Sequence, residues 1–355
     1  MTGTLHIHVA SRDLNLASVR YRALLPGCAA KAEGWKVRVS DRDVPPLAGT
    51  TLALAVKPLS QKHARWARHA QDAGVPVVAD LCDNIFIDGY AGEGRIFGQR
   101  FVELARGLSA VTVPTGAMRE VVLAETGLPD ARVLVVPDIV ETPDLLARQR
   151  RLLGLRHGLL SALRSLRRRP EAVPAPSGPV LLWYGNHGAA YAKFGLEDLL
   201  LYREALREAA GRGAELWVVS NNRGKFERLA GELPVASRYF EWTPTIVDAL
   251  LPLADVCLVP NSLDAFSATK SANRGLKALS HGVPVVATPS RAYRELAGAV
   301  WLDDPGAGIA AYLDDPSVRQ RHLQEAARII AADYSFERLR NAIAEVAAAA
   351  TGARA

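Results

Sequence analysis

Cysteine is scarce in this sequence, and its few copies lack the spacing of a disulfide or zinc framework. The 355-residue chain has three cysteines, Cys28, Cys82 and Cys257, and no CxxC pair. Disulfide scaffolds and structural zinc sites both require cysteines in closely spaced pairs. We therefore expect a chain that folds in a reducing compartment, without disulfides and without a bound metal.

Long hydrophobic runs are absent too, since the longest apolar segments have the length of a β-strand. A helix that crosses a bilayer needs about 20 apolar residues, so we expect no transmembrane segment. The opening residues, MTGTLHIHVA, have neither a charged start nor a long apolar core, which predicts no signal peptide. Hydrophobic residues make up 49% and charged residues 23%, which is typical of a globular protein and excludes a disordered chain. These features predict a cytoplasmic protein.

Acidic residues are missing from one long segment, residues 147–170, which contains eight arginines. Leucines recur every seven residues from 145 to 166, so a helix here has one apolar face. Such a basic amphipathic helix, residues 145–169, can lie on an anionic membrane surface at the inner face of the plasma membrane. It can equally pack on its own domain with its arginines in solvent, and both interpretations stay open. Aromatic residues do not alternate with the arginines, so we expect no nucleic acid partner.

Short β-rich runs alternate with helical patterns in residues 1–140. Apolar runs such as PVVADL and RVLVVP are typical of parallel strands that are covered on both faces. The alternation predicts a doubly wound α/β domain. The predicted strands cover residues 6–10, 35–40, 51–57, 76–81, 110–114 and 132–137, with helices near 18–33, 60–73, 99–107 and 116–125.

A second α/β domain is predicted for residues 180–332, after a basic helix and a linker at residues 141–179. The linker sequence PEAVPAPSGP has four prolines and is expected to be stiff. Two such domains leave a cleft, and open parallel sheets bind ligands beyond the carboxyl ends of their strands. The predicted strands cover residues 180–185, 214–220, 239–242, 256–260 and 284–288, with helices near 195–211, 224–230, 244–251, 270–281 and 290–297 and a C-terminal helix at 333–355.

Polar and aromatic side chains follow the predicted strands of the second domain. Because the carboxyl ends of parallel strands meet at one edge of a sheet, we expect these side chains to converge. They are the candidates for ligand binding: Asn186, His187, Lys193, Asn221, Trp242 and Asn261.

The sequence TKSANR, residues 269–274, precedes the last of these strands and opens a predicted helix. Thr269 and Ser271 are expected to cap the helix, while Lys270 and Arg274 add positive charge. A helix N-terminus offers unpaired N–H groups and a partial positive charge. The stretch therefore predicts a phosphate or diphosphate site, which includes Asn273.

These stretches resemble the glycosyltransferases of the GT-B fold, specifically family 4 (glycosyl transferases group 1). The segment LADVCLVPNSLDAFSATKSANRGLKALSHGVPVVAT, residues 253–288, is similar to the carboxyl-terminal signature of that family. In the first half, SAVTVPTGAMREVV and RVLVVPDIVE are similar to two of its strand regions, and YGNHGAAYAKFGLEDLL takes the place of its donor loop. The K-S-x-N-R sequence at 270–274 is similar to a divergent bacterial subgroup.

The resemblance implies two Rossmann-like domains that face a cleft, with the C-terminal helix returning to the first domain. It implies a metal-independent, retaining, hexosyltransferase-like enzyme that moves a sugar from a nucleoside-diphosphate sugar to a glycan or lipid-linked acceptor, without a cofactor, in bacterial surface polysaccharide synthesis. Lys193 matches the lysine that contacts the donor diphosphate, and residues 270–273 match the loop that cradles it. Trp242 stands where the nucleobase is recognised.

The chain also departs from the family pattern at several positions. The two glutamates of the family correspond to Thr269 and Lys277 here, and a lysine cannot accept hydrogen bonds from ribose hydroxyls. Asn186 replaces an arginine of the first loop. The glycine-rich loop after the first strand is replaced by SRDLNLASVRYR, from which Arg20 and Arg22 are expected to reach the donor.

The chemistry of sugar transfer requires stabilisation of the leaving diphosphate, and cations supply it most directly. Lys270 and Arg274 are therefore predicted to be catalytic. Asp80 and Asp83 follow a predicted strand of the first domain, where a carboxylate can orient the acceptor or act as a base, and Asp83 can instead form only a turn. Asp13, after the first strand, is a rival candidate on the acceptor side.

Two other functions remain open from the sequence alone. A sugar-nucleotide epimerase or hydrolase of the same fold needs acid and base residues around the donor, and the second domain shows few carboxylates at its strand ends. A non-catalytic nucleotide-sugar-binding protein is consistent with the missing glutamate pair. The two LDDP sequences, residues 302–305 and 313–316, are predicted to cap helices and not to bind metal.

Overall fold

A computed structural model describes residues 3–42, 46–92, 94–154, 175–186, 188 and 195–352. Most of the predicted basic helix, residues 155–169, lies outside these ranges. The described chain forms two compact units. The first contains the residues up to 154, the three residues Thr269–Ser271 and the C-terminal segment from Tyr334, and the second contains residues 175–268 and 272–333.

The first unit is built on a parallel sheet of six strands in the order β2-β1-β3-β4-β5-β6. The central strands are buried along their whole length, because their apolar sequences are covered on both faces, whereas the edge strand β2 alternates exposed and half-buried residues and ends in a buried serine. The strands are β1 Thr4–His8, β2 Lys36–Ser40, β3 Leu52–Val56, β4 Val77–Asp80, β5 Ala110–Val113 and β6 Val133–Val135.

The helices of the first unit include the C-terminal one, as the resemblance to GT-B enzymes implies. Leu339 and Val346 of that helix pack in one apolar core with Leu5 and Ile7 of β1. A π-helical segment, Ser18–Leu24, precedes the first α-helix, where a single helix over 18–33 is expected from the sequence. The α-helices are α1 Leu25–Ala32, α2 Gln61–Asp72, α3 Ile96–Ala105, α4 Gly116–Thr126, α5 Pro143–Leu152 and, at the carboxyl end, Phe336–Thr351.

The second unit has a parallel sheet of five strands in the order β11-β10-β7-β8-β9. Its core includes Trp183, Leu216 and Leu258 from the strands. The strands are β7 Val180–Tyr184, β8 Glu215–Ser220, β9 Ser237–Glu241, β10 Val256–Val259 and β11 Val285–Ala287. The α-helices are α6 Arg203–Gly211, α7 Arg223–Ala230, α8 Pro244–Leu250, α9 Asn273–Ser280, α10 Arg291–Arg294, α11 Pro305–Asp314 and α12 Pro316–Asp333, and the terminal helix Phe336–Thr351 of the first unit is α13.

Both sheets are parallel and flanked by helices, which confirms the predicted α/β fold class. Helix α9 ends at Ser280, and Gly282 then takes a left-handed conformation with φ of 74°. Glycine tolerates this conformation, so the chain turns sharply into β11, as the sequence HGVPVVAT predicts. No helix in the described part of the chain is long and apolar enough to cross a membrane.

An aromatic and histidine cluster lies beneath the first sheet, between β1 and α2. The His8 ring stacks on Trp66 with ring centroids 4.6 Å apart and meets the His63 ring edge to face at 4.8 Å. His6 packs edge to face against Trp66 at 5.5 Å. Burial lowers the pKa of His6 and of His8 to about 4, because the charged imidazolium loses its hydration.

This cluster predicts a loss of stability in mild acid. The unfolded chain binds protons at these histidines near pH 6.5, whereas the folded chain does so only near pH 4, so the free energy of unfolding falls as the pH falls between those values. The loss is at most roughly 3 kcal/mol per histidine. Urea unfolding at several pH values from 7.5 to 4.5 measures this loss of unfolding free energy. In the double variant His6→Gln/His8→Gln, the free energy of unfolding is expected to depend less steeply on pH. Replacing the exposed His69 by glutamine serves as the control, and an equally steep curve for the double variant contradicts the assignment.

Candidate functional site

The carboxyl edge of the second sheet carries most of the residues predicted to bind a ligand. Asn186, Asn221, Trp242 and Asn261 each follow a different strand, and because the strands are parallel they lie at the same edge. Asn186 and Asn221 are exposed and Trp242 is half-buried. His187 and Lys193, also predicted here, lie outside the described residues.

A crevice is expected at this edge between β7 and β10. The chain leaves β7 towards β8 and β9 on one side of the sheet, and β10 and β11 lie on the other side of β7. Ligands of open α/β sheets bind at such a reversal of strand order. Asn261 shapes the loop after β10, since its side-chain oxygen accepts a hydrogen bond from the Leu263 N–H at 2.8 Å. Asn186 shapes the loop after β7 in the same way, by accepting from the Gly188 N–H at 3.0 Å.

Arg274 brings a cation to this reversal point. The Arg274 guanidinium lies 3.4 Å from the Tyr184 carbonyl oxygen at the end of β7, and 5.9 Å from the centre of the Trp183 ring. A Cβ atom at Gly185 would come within 3.0 Å of the same guanidinium, so a larger residue at that position would require Arg274 to shift. No carboxylate among the described residues forms an ion pair with Arg274 within 4.0 Å. Within the described residues, no close ion pair therefore neutralises its charge at the strand end, and Asp198 acts on it only over a longer distance.

Asp198 is a second ionisable group at this point, and sequence reasoning missed it. Its side chain is buried, accepts a hydrogen bond from the Gly195 N–H at 3.1 Å and also bonds to Ser262. Burial raises the pKa of Asp198 to about 6, against the opposing effects of the Gly195 N–H and of Arg274. In the sequence GLEDLL this aspartate has the position of a helix-capping residue, which conceals its proximity to Arg274. A buried carboxyl group whose pKa is raised to about 6, beside this edge of the sheet, is a candidate functional residue.

The predicted capping of the TKSANR helix by Thr269 and Ser271 is wrong. Helix α9 begins at Asn273, and its N-cap residue is Ala272, which makes no side-chain cap. Thr269–Ser271 belong instead to the first unit. The Thr269 carbonyl oxygen accepts a hydrogen bond from the Thr115 hydroxyl at 2.9 Å, and the Ser271 hydroxyl donates to the Asp138 carboxylate at 2.5 Å. The Thr269 backbone and the Ser271 side chain are thus bonded to residues of that unit.

Lys270 pairs with Asp83 in the first unit. The Asp83 carboxylate accepts hydrogen bonds from the ammonium groups of both Lys270 and Lys57, and the Tyr90 hydroxyl lies 3.4 Å from it. Burial opposes ionisation of Asp83, but the attraction of the two ammonium groups outweighs it and holds the pKa of this carboxyl well below its ordinary value. The sequence predictions of Lys270 and Asp83 as site residues thus meet in one cluster.

The geometry of this cluster favours an orienting role for Asp83 over that of a general base. A carboxylate that is held ionised by two cations has little tendency to take up a proton near neutral pH. Lys57 was not singled out from the sequence. The sequence feature that could have identified it is its position as a charged residue directly after an apolar strand. In the structure the Lys57 backbone has a φ of 50°, which is uncommon for a non-glycine residue.

Arg20, Arg22 and Asp80 are buried in the interior of the first unit. Arg22 pairs with Asp80 at 2.7 Å and with Asp138 at 2.8 Å, and Arg20 pairs with Glu141 at 3.0 Å. These contacts give both arginines a structural role. A contact of either arginine with a donor stays a prediction, as does a ligand contact of Asp80.

Asp13 and Lys277 also serve local structure. Asp13 accepts a hydrogen bond from the Asn15 N–H at 2.9 Å and thus forms a turn after β1. Lys277 is buried and pairs with Asp248, which also lies 3.3 Å from the His281 ring. The position where the family has a ribose-binding glutamate therefore holds an internal ion pair.

The described part of the chain contains no group of three or more histidine, cysteine, aspartate or glutamate side chains that could hold a metal ion. The first LDDP sequence caps a helix as predicted. Asp304 is the N-cap residue of α11, its side chain accepts a hydrogen bond from the Ala307 N–H at 3.0 Å, and Pro305 is the first helical residue.

Comparison with known proteins shows similarity in fold. No protein-family profile matches the sequence, and no curated protein matches it. Anabaena HepE, solved in complex with UDP and glucose, has a TM-score of 0.63 at 14% identity over 97% of this chain and 98% of HepE. A glycosyltransferase from Rickettsia africae has a TM-score of 0.64 at 10% identity over 98% of each chain.

TarM matches over a smaller share of its own length. Its TM-score is 0.57 at 12% identity, over 83% of this chain, and the chain spans 54% of TarM. At such identities the likeness shows the fold alone. The chain has the two-sheet α/β fold of these GT-B glycosyltransferases.

The Asp83 cluster predicts the reactivity of its neighbour Cys82. Burial raises the pKa of Cys82 to about 12, Asp83 adds to this rise, and Lys57 and Lys270 oppose it. Because Asp83→Asn removes the anion and leaves both cations, the thiol pKa is expected to fall. The alkylation rate at pH 8 then rises about tenfold for each unit of pKa. Mass spectrometry after iodoacetamide treatment measures the rate at Cys82.

Two further variants separate this electrostatic effect from loosening of the structure. Replacing Lys57 by methionine in the Asp83→Asn protein removes one cation, so part of the acceleration is expected to disappear. The exposed Asp130→Asn variant is the control and should leave the rate unchanged. If the rate at Cys82 does not change in Asp83→Asn, the described cluster is incorrect.

Proposed function

We propose that this chain is a glycosyltransferase that moves a sugar from a nucleoside-diphosphate sugar to a glycan or lipid-linked acceptor. The observation that carries the proposal is the position of Arg274 at the strand-order reversal of the second sheet, beside Trp183 and the end of β7. A cation without a carboxylate partner among the described residues suits a diphosphate at this point. The fold shared with HepE, which was solved with UDP and glucose, supports the same assignment.

The donor is proposed to lie along the carboxyl edge of the second sheet. Arg274 and Asn273, in the first turn of α9, hold the diphosphate, and the partial positive charge of that helix end assists them. Trp242, at the end of β9, stacks on the nucleobase. Asn186 and Asn221 are exposed at the same edge and supply hydrogen bonds to the donor. Lys277 is engaged with Asp248, so the ribose is held by other groups than the glutamate found in family 4.

In the proposed reaction an acceptor hydroxyl attacks the anomeric carbon. The bond between that carbon and the diphosphate oxygen breaks, its electron pair stays on the diphosphate, and the hydroxyl proton passes to the departing phosphate oxygen. Arg274 stabilises the charge that develops on the leaving group. The reaction is proposed to retain the anomeric configuration, as the resemblance to family 4 implies. It is proposed to need no metal, because a positively charged side chain neutralises the charge of the leaving diphosphate.

The first unit is proposed to serve the acceptor. Lys57 and Asp83 follow its strands, and Asp83 forms ion pairs with Lys57 and with Lys270 of the segment Thr269–Ser271. The catalytic role of Lys270 remains a prediction from the sequence. The family 4 subgroup, a role in bacterial surface polysaccharide synthesis and a location at the inner face of the plasma membrane likewise rest on the sequence.

Turnover measurements with a panel of nucleoside-diphosphate hexoses test the proposal. Wild-type protein is expected to release nucleotide from at least one donor, and Arg274→Ala is expected to lower kcat/KM about 100-fold, since a cation aimed at developing charge contributes roughly this much. Arg274→Lys should recover part of the rate. Arg228→Ala, an exposed arginine on α7, is the matched control. Binding and turnover by Arg274→Ala at wild-type levels would refute the proposal.

The same measurements separate the other two functions. A hydrolase releases free sugar at the same rate with and without acceptor, and an epimerase changes the donor without losing the nucleotide. A non-catalytic binding protein is stabilised by a nucleotide in thermal unfolding but turns over no donor. Only a transferase gives product that carries both sugar and acceptor.

A further inference from the structure

A groove that no step of the proposed reaction uses lies on the first unit, between α1 and α5. It encloses about 320 Å³. The apolar part of its lining comes from Ala32 and Leu152 and from Cys28, which is buried. Its remaining lining residues are all cations: Lys31, Arg148 and Arg151.

The three cations of the groove all act electrostatically on the thiol of Cys28. Burial raises the pKa of the Cys28 thiol to about 11, and Arg148, Lys31 and Arg151 each oppose that rise, so their positive charges converge on the thiol in the groove. Arg148 pairs with Asp144 at 2.9 Å and lies over the Phe336 ring. Lys31 and Arg151 form no ion pair within 4.0 Å with any carboxylate in the described part of the chain. The groove thus holds excess positive charge.

The ends of the two helices explain part of this arrangement. Lys31 and Arg151 lie in the last turns of α1 and α5, where the helix dipole favours a cation. This accounts for one cation on each helix. It does not account for the presence of both cations and Arg148 in the lining of one concave site, because like charges repel one another unless an anion compensates for them.

We propose that this groove binds a phosphate ester, with Lys31, Arg148 and Arg151 on the phosphate and the apolar surface of Ala32 and Leu152 against the carbon atoms next to it. Arginine and lysine are the side chains that bind phosphate, and an apolar base beside them favours an ester over the free ion. The site is separate from the proposed sugar transfer. The ester is a soluble one or the headgroup of an anionic phospholipid.

Two binding assays at constant ionic strength distinguish these sources. Glycerol 3-phosphate is titrated into the full chain by calorimetry, and co-sedimentation is measured with phosphatidylglycerol vesicles against phosphatidylcholine vesicles. The variant Lys31→Glu/Arg151→Glu is expected to lose at least tenfold in whichever binding the wild type shows. Arg228→Glu/Arg321→Glu changes the net charge equally, at exposed sites of the second unit, and should stay within twofold of wild type.

A milder variant and a second measurement distinguish loss of the site from misfolding of the charge-reversal variant. Lys31→Gln/Arg151→Gln removes the charges without reversing them and is expected to weaken binding in the same order. Bound ester also covers the thiol, so alkylation of Cys28 in the wild type should slow when glycerol 3-phosphate or vesicles are added, with Cys82 as internal reference.

Each outcome decides the proposal. Loss of glycerol 3-phosphate binding in the variant assigns a soluble ester, and loss of vesicle binding alone assigns a lipid headgroup. If the wild type binds neither probe, or if the groove variant and the control variant lose binding equally, the groove is not a phosphate site.

Discussion

Three buried carboxylates at one edge of the first sheet need cations, and this need determines much of the structure around them. Asp80 ends β4, Asp83 follows the same strand and Asp138 follows β6, and each is almost fully removed from solvent. Burying an ionised carboxylate is costly unless a cation and hydrogen bonds compensate for the lost hydration. Arg22 supplies both for Asp80 and Asp138, and Lys57 and Lys270 supply them for Asp83. Loss of one such partner typically costs about 3–5 kcal/mol, so these pairs hold the loops after the strands in place.

This constraint changes the meaning of the TKSANR sequence. From the sequence, its cations and hydroxyls form a single phosphate site at a helix N-terminus. In the structure Thr269, Lys270 and Ser271 satisfy the strand ends of the first unit, whereas Arg274 lies at the strand-order reversal of the second sheet. The stretch therefore divides into a part that completes buried carboxylates and a part that presents charge to a ligand.

The alternation of apolar strands with helical segments predicted both sheets and each of their described strands, because burial on two faces leaves a continuous hydrophobic signal. It also predicted the edge on which Asn186, Asn221, Trp242 and Asn261 lie. Ion pairs between residues that are distant in the chain could not be predicted. A sequence does not reveal that Arg22 is internal and reaches Asp138, or that Lys277 meets Asp248, since these partners are distant in the chain and a charged residue is normally exposed. Asp198 was missed because its local pattern is that of an ordinary helix cap, and only the tertiary structure brings it near Arg274 and Ser262.

The central claim is that the carboxyl edge of the second sheet binds a nucleoside diphosphate. The six tryptophans offer a direct test by nuclear magnetic resonance of their indole N–H groups. During titration with the diphosphates of uridine, guanosine, adenosine, cytidine and thymidine, the account predicts that at least one nucleotide shifts the Trp242 signal, and that of Trp183 beneath Arg274, in a saturable manner. The Trp35 and Trp66 signals of the first unit should stay in place. If no nucleotide shifts Trp242, or if the shifts are confined to Trp35 and Trp66, the proposed donor site is wrong.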